Sequence, residues 1–506
     1  MESNTKRIAK NTLLLYLRQI LVLAVSLYTV RVRLEVLGVE NFGIYNIVAG
    51  FVFLFAFLNG AMTSTTQRFL NFAMGQNDEE QVRKVFSISI IIHIFIALFI
   101  IVLAETLGLW FFYNILNIPP ERHFAAFIVY QLTIILAVAT VIKVPYDAII
   151  IANEKMAFYS FISILEAFFK LAIVYLLLVL IIDKLILYSF LCLLTGLITF
   201  FISKIYCNKS FKTSKFKYYN DKQFYKNILS FSGWNVLSQV SIISQSQGTN
   251  ILLNVFHGVF VNAAIGLANQ VNSAVYTFLT NFQKAFRPQV IKSYAANDTV
   301  YFMKLLFQTS KISYFLLFLI TLPLIINAEF VLQIWLKNIP EYTVDFTRIV
   351  LFVSLDGALS GPLLTAFDAT GDIKRYQITK SILNLSTLPI MFLLLFFKFN
   401  ILWIILIKIP INLIFFILCI IYSRKMISLS VSKYFFNVIL PIVIITILSS
   451  TATIFSSFLF IEWKGLLFTC FISTLSILLF SFFIGLNNAE RITVVNIVRK
   501  YIKNEK

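Results

Sequence analysis

Charged residues stand inside stretches too apolar to tolerate them casually. Arg18 lies about a third of the way into the first long apolar run, 12–32. Glu105 comes late in the third run, Glu166 and Lys170 lie in the fifth, Asp356 and Asp368 in the tenth, and Lys408 in the twelfth. An ionisable group in hydrocarbon costs about 2.5 kcal/mol or more, so such residues are either paired or kept to handle an ion, a proton or a charged substrate. Glu166 and Lys170 are spaced to share one helix face and are expected to neutralise each other. Arg18 has no acid near it in sequence. It is either a ligand for an anion or a cation snorkelling to the cytoplasmic face. Asp356 is the deepest acid and the candidate proton or cation site.

Uncharged polar residues are patterned as well. Asn235, Ser238, Gln239, Ser241, Gln245 and Thr249 recur mostly at three or four residues, the period of one helical face. Asn269, Ser273, Tyr276, Thr280, Gln283 and Arg287 repeat the pattern in the next run, and Asn59, Thr63, Gln67 and Arg68 give a weaker version in the second. Such stripes either join helices by hydrogen bonds or line a water-filled cleft, and their length and pairing favour the cleft. Amides and hydroxyls suit sugar hydroxyls, while Arg and Lys suit phosphate oxygens. No catalytic constellation accompanies them. His93, His123 and His257 are dispersed without metal-ligand spacing, and there is no Gly-x-Ser-x-Gly and no phosphate-binding Gly-rich loop. The four cysteines, Cys192, Cys207, Cys419 and Cys470, form no Cys-x-x-Cys pair. No cofactor or metal is expected, beyond proton or Na+ coupling.

The elements that must position these groups follow from composition. Of 506 residues, 59% are hydrophobic, 13% are charged and 54 are Phe; the mean hydropathy is +0.87. Ordinary soluble domains are about half apolar and a quarter charged. The apolar runs last about twenty residues, the length of a spanning helix, whereas barrel strands alternate over about ten. About fourteen runs are expected, from 12–32 to 465–485, with 158–206 and 377–422 divided at Asp183-Lys184 and Lys398-Phe399-Asn400. The first run lacks a small-residue cleavage site and is expected to stay in the mature chain. The formal charge of +19 is read as cytoplasmic loop charge rather than as affinity for nucleic acid. The strongest cluster is Lys209, Lys212, Lys215, Lys217, Lys222 and Lys226, while the alternate loops carry one or two basic residues each. Both termini are therefore expected in the cytoplasm. The short outer loops leave no room for a large extracytoplasmic catalytic domain.

The chain also matches itself. A shift of 220 residues lays Leu37-Gly38 on His257-Gly258 and Asn77-Asp78 on Asn297-Asp298. A shift of 217 lays Pro145 and Ala152 on Pro362 and Ala369. Spans one to six thus map onto seven to twelve with the same orientation, a parallel repeat. The expected domains are an N-lobe at 1–206, a basic cytoplasmic linker at 207–227, a C-lobe at 228–422, and two further spans with a basic tail at 423–506.

Several islands resemble a known family, the polysaccharide (O-antigen) repeat-unit flippases. They are Leu37-Gly38-Val39-Glu40-Asn41-Phe42-Gly43-Ile44-Tyr45 between spans one and two, and Thr66-Gln67-Arg68-Phe69-Leu70 ending span two. Val144-Pro145-Tyr146-Asp147-Ala148 with Ile151-Ala152-Asn153-Glu154-Lys155-Met156 is similar to the family's loop after span four. Phe231-Ser232-Gly233-Trp234 resembles the start of its span seven, and Pro288-Gln289-Val290-Ile291-Lys292-Ser293-Tyr294 its loop after span eight. The resemblance implies the multidrug/oligosaccharidyl-lipid/polysaccharide (MOP) exporter superfamily: an all-α polytopic inner-membrane protein with two six-helix lobes in a V plus two C-terminal helices. It implies a non-enzymatic flippase that moves undecaprenyl-diphosphate-linked oligosaccharide to the periplasmic leaflet by alternating access, for O-antigen, lipopolysaccharide or capsule assembly. By helix and depth, Arg18, Arg68, Lys284 and Arg287 would hold the pyrophosphate, and Arg31 and Arg33 would meet the headgroup in the outward-facing state. Asn235, Gln239, Gln245, Asn269 and Gln283 would line the cavity. The lipid-linked oligosaccharide and membrane lipid are the expected partners of a monomer, with other glycan-assembly membrane proteins as candidates. A cation-coupled multidrug antiporter of the same superfamily is the main alternative, and a membrane polysaccharide polymerase a further one.

Overall fold

The computed structural model describes residues 2–53, 56–114, 116, 118–179, 183–336, 339–460, 462–487 and 490–491. All regular structure among them is helical. In order the helices are α1 (Glu2–Phe53), α2 (Ala56–Gly75), α3 (Glu79–Leu103), α4 (Leu109–Asn114), α5 (His123–Ala152), α6 (Met156–Val179), α7 (Lys184–Ser210) and α8 (Lys222–Ala295). There follow α9 (Thr299–Ile326), α10 (Ala328–Trp335), α11 (Thr343–Thr370), α12 (Lys374–Phe396), α13 (Ile401–Leu406), α14 (Lys408–Met426), α15 (Val431–Tyr434), α16 (Leu440–Ser457) and α17 (Glu462–Phe480).

Among the described residues, eleven helical stretches are long and apolar enough to cross a membrane. Many of their large apolar side chains face outward, such as Phe95 at 66% exposure and Phe471 at 62%. Rings on that face need lipid as their solvent. Of the expected spans, 228–254, which carries a polar stripe, is not among the eleven, while 42–66 and 258–282 contain side chains outside the described residues. Both short breaks are present. Asp183 caps α7 through the Leu185 and Ile186 amides, and Lys398 turns with φ 55° before Asn400 caps α13.

The repeat is written in the backbone. Gly38 (φ 75°) and Gly258 (φ 79°) each turn a continuous helical path with a single residue, in a conformation that side-chain-bearing residues avoid. Asn77 and Asn297 both have φ 56°, and Asp78 and Asp298 then cap α3 and α9 on the third amide of the helix. The third pair is unequal. Glu154 (φ 58°) occupies the left-handed turn that Gly371 (φ 86°) fills in the second half.

Two prolines correct the expected boundaries. Pro145 and Pro288 lie inside α5 and α8, which run on to Ala152 and Ala295, so 144–148 and 288–294 are helix, while 151–156 does carry the turn after α5. Proline breaks soluble helices, but inside a membrane protein neighbouring groups satisfy the freed backbone and the helix continues.

The helices form two compact units, Met1–Val240 with Lys284–Asn297, and Ser241–Gln283 with Asp298–Lys506. In the first, α5 packs on α2, α3 and α7, and α1 on α6. In the second, α11 packs on α9 and α14, and α17 on α16 and α9. Gly357 and Gly361 of α11 admit the Tyr276 and Gln283 side chains so closely that a Cβ at either would fall 2.3 or 2.2 Å from them. This small-x3-small groove is how membrane helices approach without a hydrophobic drive.

Candidate functional site

Within the first unit, α5, α6 and α7 enclose a polar cavity of about 100 Å3. Its polar lining is Lys143 and Asp147 of α5, Tyr159, Ser163 and Glu166 of α6, and Ser203 of α7. Lys143 and Asp147 are four residues apart, so one face of α5 presents both. Arg18 of α1 is buried against the same wall. Its guanidinium donates to Ser163 Oγ at 3.4 Å and lies 5.3 Å from the Tyr159 ring. Lys284 of α8 is within electrostatic range of Asp147. Glu166 accepts from Lys170 Nζ at 2.8 Å, the pairing its spacing demands. With that pair satisfied, Lys143 and Lys284 are the cations within electrostatic range of Asp147, and Arg18 meets the wall at Ser163. The space admits a few waters or one phosphate-sized anion.

A second group gathers Arg68, Asn235 and Arg287 at the end of α2. Arg287 donates to Ser64 Oγ at 2.6 Å, and Asn235 Nδ2 donates to Thr65 Oγ1 at 3.2 Å. Arg68 is buried with its guanidinium 4.8, 4.7 and 5.6 Å from the Phe69, Phe72 and Phe231 rings. Arg33 is enclosed likewise. It donates to Tyr188 Oη at 3.0 Å between the rings of Phe42, Tyr45 and Tyr188. The side chains of Arg31 and Asn59 lie outside the described residues.

In the second unit, Gln283 donates to the Gly357 carbonyl at 3.3 Å and Gln245 to Thr387 Oγ1 at 2.9 Å. Gln245 and Asn235 thus make the helix-joining bonds that polar stripes offer. Gln239 of the first unit and Asn269 of the second are half-buried. Asp356 is not isolated, because Lys380 lies within electrostatic range of it.

Sequence reasoning missed Lys143 and Asp147, since it ended span four at residue 144 and read Asp147 as loop. Their i,i+4 spacing was the available signal. It also missed Glu154, whose buried carboxylate accepts from Gln289 Nε2 at 2.6 Å and Lys292 Nζ at 3.1 Å and forms an ion pair with Arg7, whose Nε lies 2.7 Å away. The motif islands therefore meet in pairs: 151–156 with 288–294 through Glu154, and 66–70 with 231–234 through Arg68 and Phe69 on Phe231. Among the described residues no His, Cys, Asp or Glu cluster is built to hold a metal ion.

No family model matches the chain, and no curated protein matches it. Solved structures do. The crystal structure of a MATE protein in the straight conformation superposes with a TM-score of 0.69 at 13% identity, over 85% of this chain and 97% of that chain. An outward-facing multidrug resistance MATE family transporter of the MOP superfamily gives 0.69 at 14% identity, over 83% and 96%. A MOP superfamily transporter from Pyrococcus furiosus Vc1, reported for the reverse polarity of its binding pocket, gives 0.66 at 12% identity, over 83% and 96%. At these identities the likeness establishes the fold. The chain is a multi-pass helical membrane protein with the architecture of MATE transporters.

Proposed function

We propose that the chain is a flippase for lipid-linked oligosaccharides, carrying undecaprenyl-diphosphate-linked repeat units from the cytoplasmic to the outer leaflet of a bacterial inner membrane. The observation that carries this reading is a polar cavity in the first unit lined by Lys143 and Asp147, with Arg18 bonded to Ser163 of its wall and Lys284 within electrostatic range of Asp147. Cations held in a low-dielectric site suit a phosphate far better than a cationic drug. Arg18 would grip one phosphate, Lys143 and Lys284 would supply point charges, and Asp147 would be the counter-charge they share while the site is empty. The reading also draws on the motif islands, and on a solved transporter of this fold whose reversed pocket polarity was linked to a different function. Transport needs no covalent step, so the protein is read as a non-enzyme with both termini cytoplasmic. Asp356, with Lys380 beside it, is the candidate for coupling to a proton or Na+ gradient.

The neighbours that are multidrug MATE transporters, together with the Asp147 and Glu166 carboxylates in the cavity wall, favour a second reading, a cation-coupled antiporter.

The test is leaflet exchange of a fluorescent undecaprenyl-diphosphate oligosaccharide in proteoliposomes. A charge-assisted hydrogen bond contributes about 1.5–3 kcal/mol, so Arg18→Ala and Lys143→Ala should each slow exchange about tenfold or more. Exchange indifferent to both substitutions would remove the phosphate site. Protein-dependent efflux of a cationic dye, with no glycolipid exchange, would establish the antiporter instead. Gradient dependence unchanged in Asp356→Asn would remove the coupling role.

A further inference from the structure

The segment between α7 and α8 carries the densest positive charge in the chain, and it is held in place. Phe211 and Ser214 are buried, and Ser214 Oγ donates to the Cys207 and Phe211 carbonyls at 2.8 Å each. The Lys217 amide donates to Ser87 Oγ at 3.1 Å, and Arg83 donates to the Lys212 carbonyl at 3.3 Å. Lys84 clamps Asp221 at 2.6 Å. These bonds fix the main chain as a strap across the start of α3, entirely within the first unit.

The face turned outward carries Lys209, Lys212, Lys215 and Lys222, all exposed. Two rings lie among them, Phe216 at 55% and Tyr218 at 68% exposure. The acids close by are engaged with other cations, Asp221 with Lys84 and Glu80 with Lys217 at 3.8 Å. Orienting spans during insertion requires positive charge alone. It requires neither an ordered strap nor an exposed Phe and Tyr between the lysines. Rings in water beside ammonium groups are costly, whereas at headgroup depth the rings meet acyl chains and the ammoniums meet phosphates.

We infer that this strap is a binding surface for anionic phospholipid of the surrounding membrane, with phosphatidylglycerol-type headgroups seated on its lysines. The site holds the lipid whether the cargo is a glycolipid or a drug, so it stands apart from the transport reading.

The experiment titrates phosphatidylglycerol into the purified full chain held in phosphatidylcholine–detergent micelles, and counts retained lipid by native mass spectrometry. A basic residue at a membrane surface is worth about fivefold in affinity for anionic lipid. Lys212→Gln/Lys215→Gln/Lys222→Gln should therefore bind about a hundredfold more weakly, and the matching triple Arg variant should bind like the parent. Phe216→Ser should also lose lipid. On the unmodified protein, raising salt from about 0.1 to 1 M shortens the screening length from about 10 to 3 Å and should release phosphatidylglycerol while leaving phosphatidylcholine. Equal retention of the two lipids, or binding unchanged in the Gln triple or at high salt, would overturn the assignment.

Discussion

Glu154 offers the sharpest quantitative test of how the first unit is held together. Its side chain is 2% exposed, yet it sits in a left-handed turn that costs a residue with a Cβ about 1–2 kcal/mol. The equivalent turn in the second half is made by Gly371. Retaining Glu there requires compensation, and two donors from α8 and the Arg7 charge from α1 supply it. Arg7 is 49% exposed, so its pair is worth at most about 1 kcal/mol. Lys292 is different. Desolvation pulls its ammonium below the ordinary lysine range while Glu154 pulls it back up. Removing one member of a buried pair costs about 3–5 kcal/mol. Lys292 keeps the Ala152 carbonyl at 2.7 Å, which lowers the expectation for Glu154→Ala to about 2–4 kcal/mol. Glu154→Gly loses the same donors but releases the backbone strain, so it should be about 1 kcal/mol more stable than Glu154→Ala. That ordering reverses the usual rank of Ala and Gly near helices. Equilibrium unfolding in mixed micelles measures it, and a double-mutant cycle with Lys292→Met should show coupling above about 1 kcal/mol. A Gly variant less stable than the Ala variant would refute the strain argument. Coupling near zero would refute the hub.

Three further outcomes are expected. Lys311 and Glu490 pair at 2.9 Å with 5% and 8% side-chain exposure, so Lys311→Met alone should cost about 3 kcal/mol while the double variant Lys311→Met/Glu490→Leu recovers most of it; unfolding of the three proteins decides, and additive losses would contradict the reasoning. Before α7, burial pushes the Asp183 carboxyl up, but Arg122 at 2.6 Å and the capping amides outweigh it and hold it below the usual range. Its folded-state depression means full stabilisation above about pH 5 and loss as pH falls through and below about 3.9, so Asp183→Asn should flatten the acid limb of a stability–pH curve, and an unchanged limb would remove the role. A Cβ at Gly75 would fall 2.5 Å from the Lys292 carbonyl oxygen and 2.7 Å from Ala295 Cβ, so Gly75→Val should destabilise by about 1–3 kcal/mol in a thermal-shift series; tolerance without loss would mean that the two segments separate freely.

The spans and their short breaks were legible because both are local. A run of about twenty apolar residues admits one reading in lipid, and Asp183 and Asn400 are N-cap residues placed where caps belong. The repeat was legible at Gly38 and Gly258, where backbone conformation and residue type are tied. The resemblance misled at Pro145 and Pro288, where the family's loops are helix in this chain. With span four cut short at residue 144, Asp147 was taken for a loop acid and its cavity went unseen. Glu154 was beyond reach for another reason. Its partners come from residues 7, 289 and 292, and nothing local at any of them announces a shared carboxylate. Arg33 and Arg68 were singled out as cations, but their enclosure by Phe42, Tyr45, Tyr188 and Phe231 depends on long-range packing of the same kind.

The polar stripes on the expected spans 42–66, 228–254 and 258–282 say most about what kind of membrane protein this is. A polar group facing hydrocarbon costs several kcal/mol, so a helix rich in them persists only where protein or water covers its polar face. Protein does so in part. Thr65, Thr66, Gln67, Arg68 and Asn71 are buried at the end of α2, and Asn235 and Gln245 bond to neighbouring helices. Gln239 and Asn269 remain only half-buried, and in lipid that degree of contact is tolerable only if the remainder is wet. Replacing Gln239 or Asn269 with Leu distinguishes the two covers. A residue against protein should lose stability on substitution, because its partner is left unsatisfied. A residue lining water should keep or gain stability and lose transport. Stability lost at both positions with exchange intact would make these stripes structural and leave the transport reading to the cationic cavity of the first unit alone.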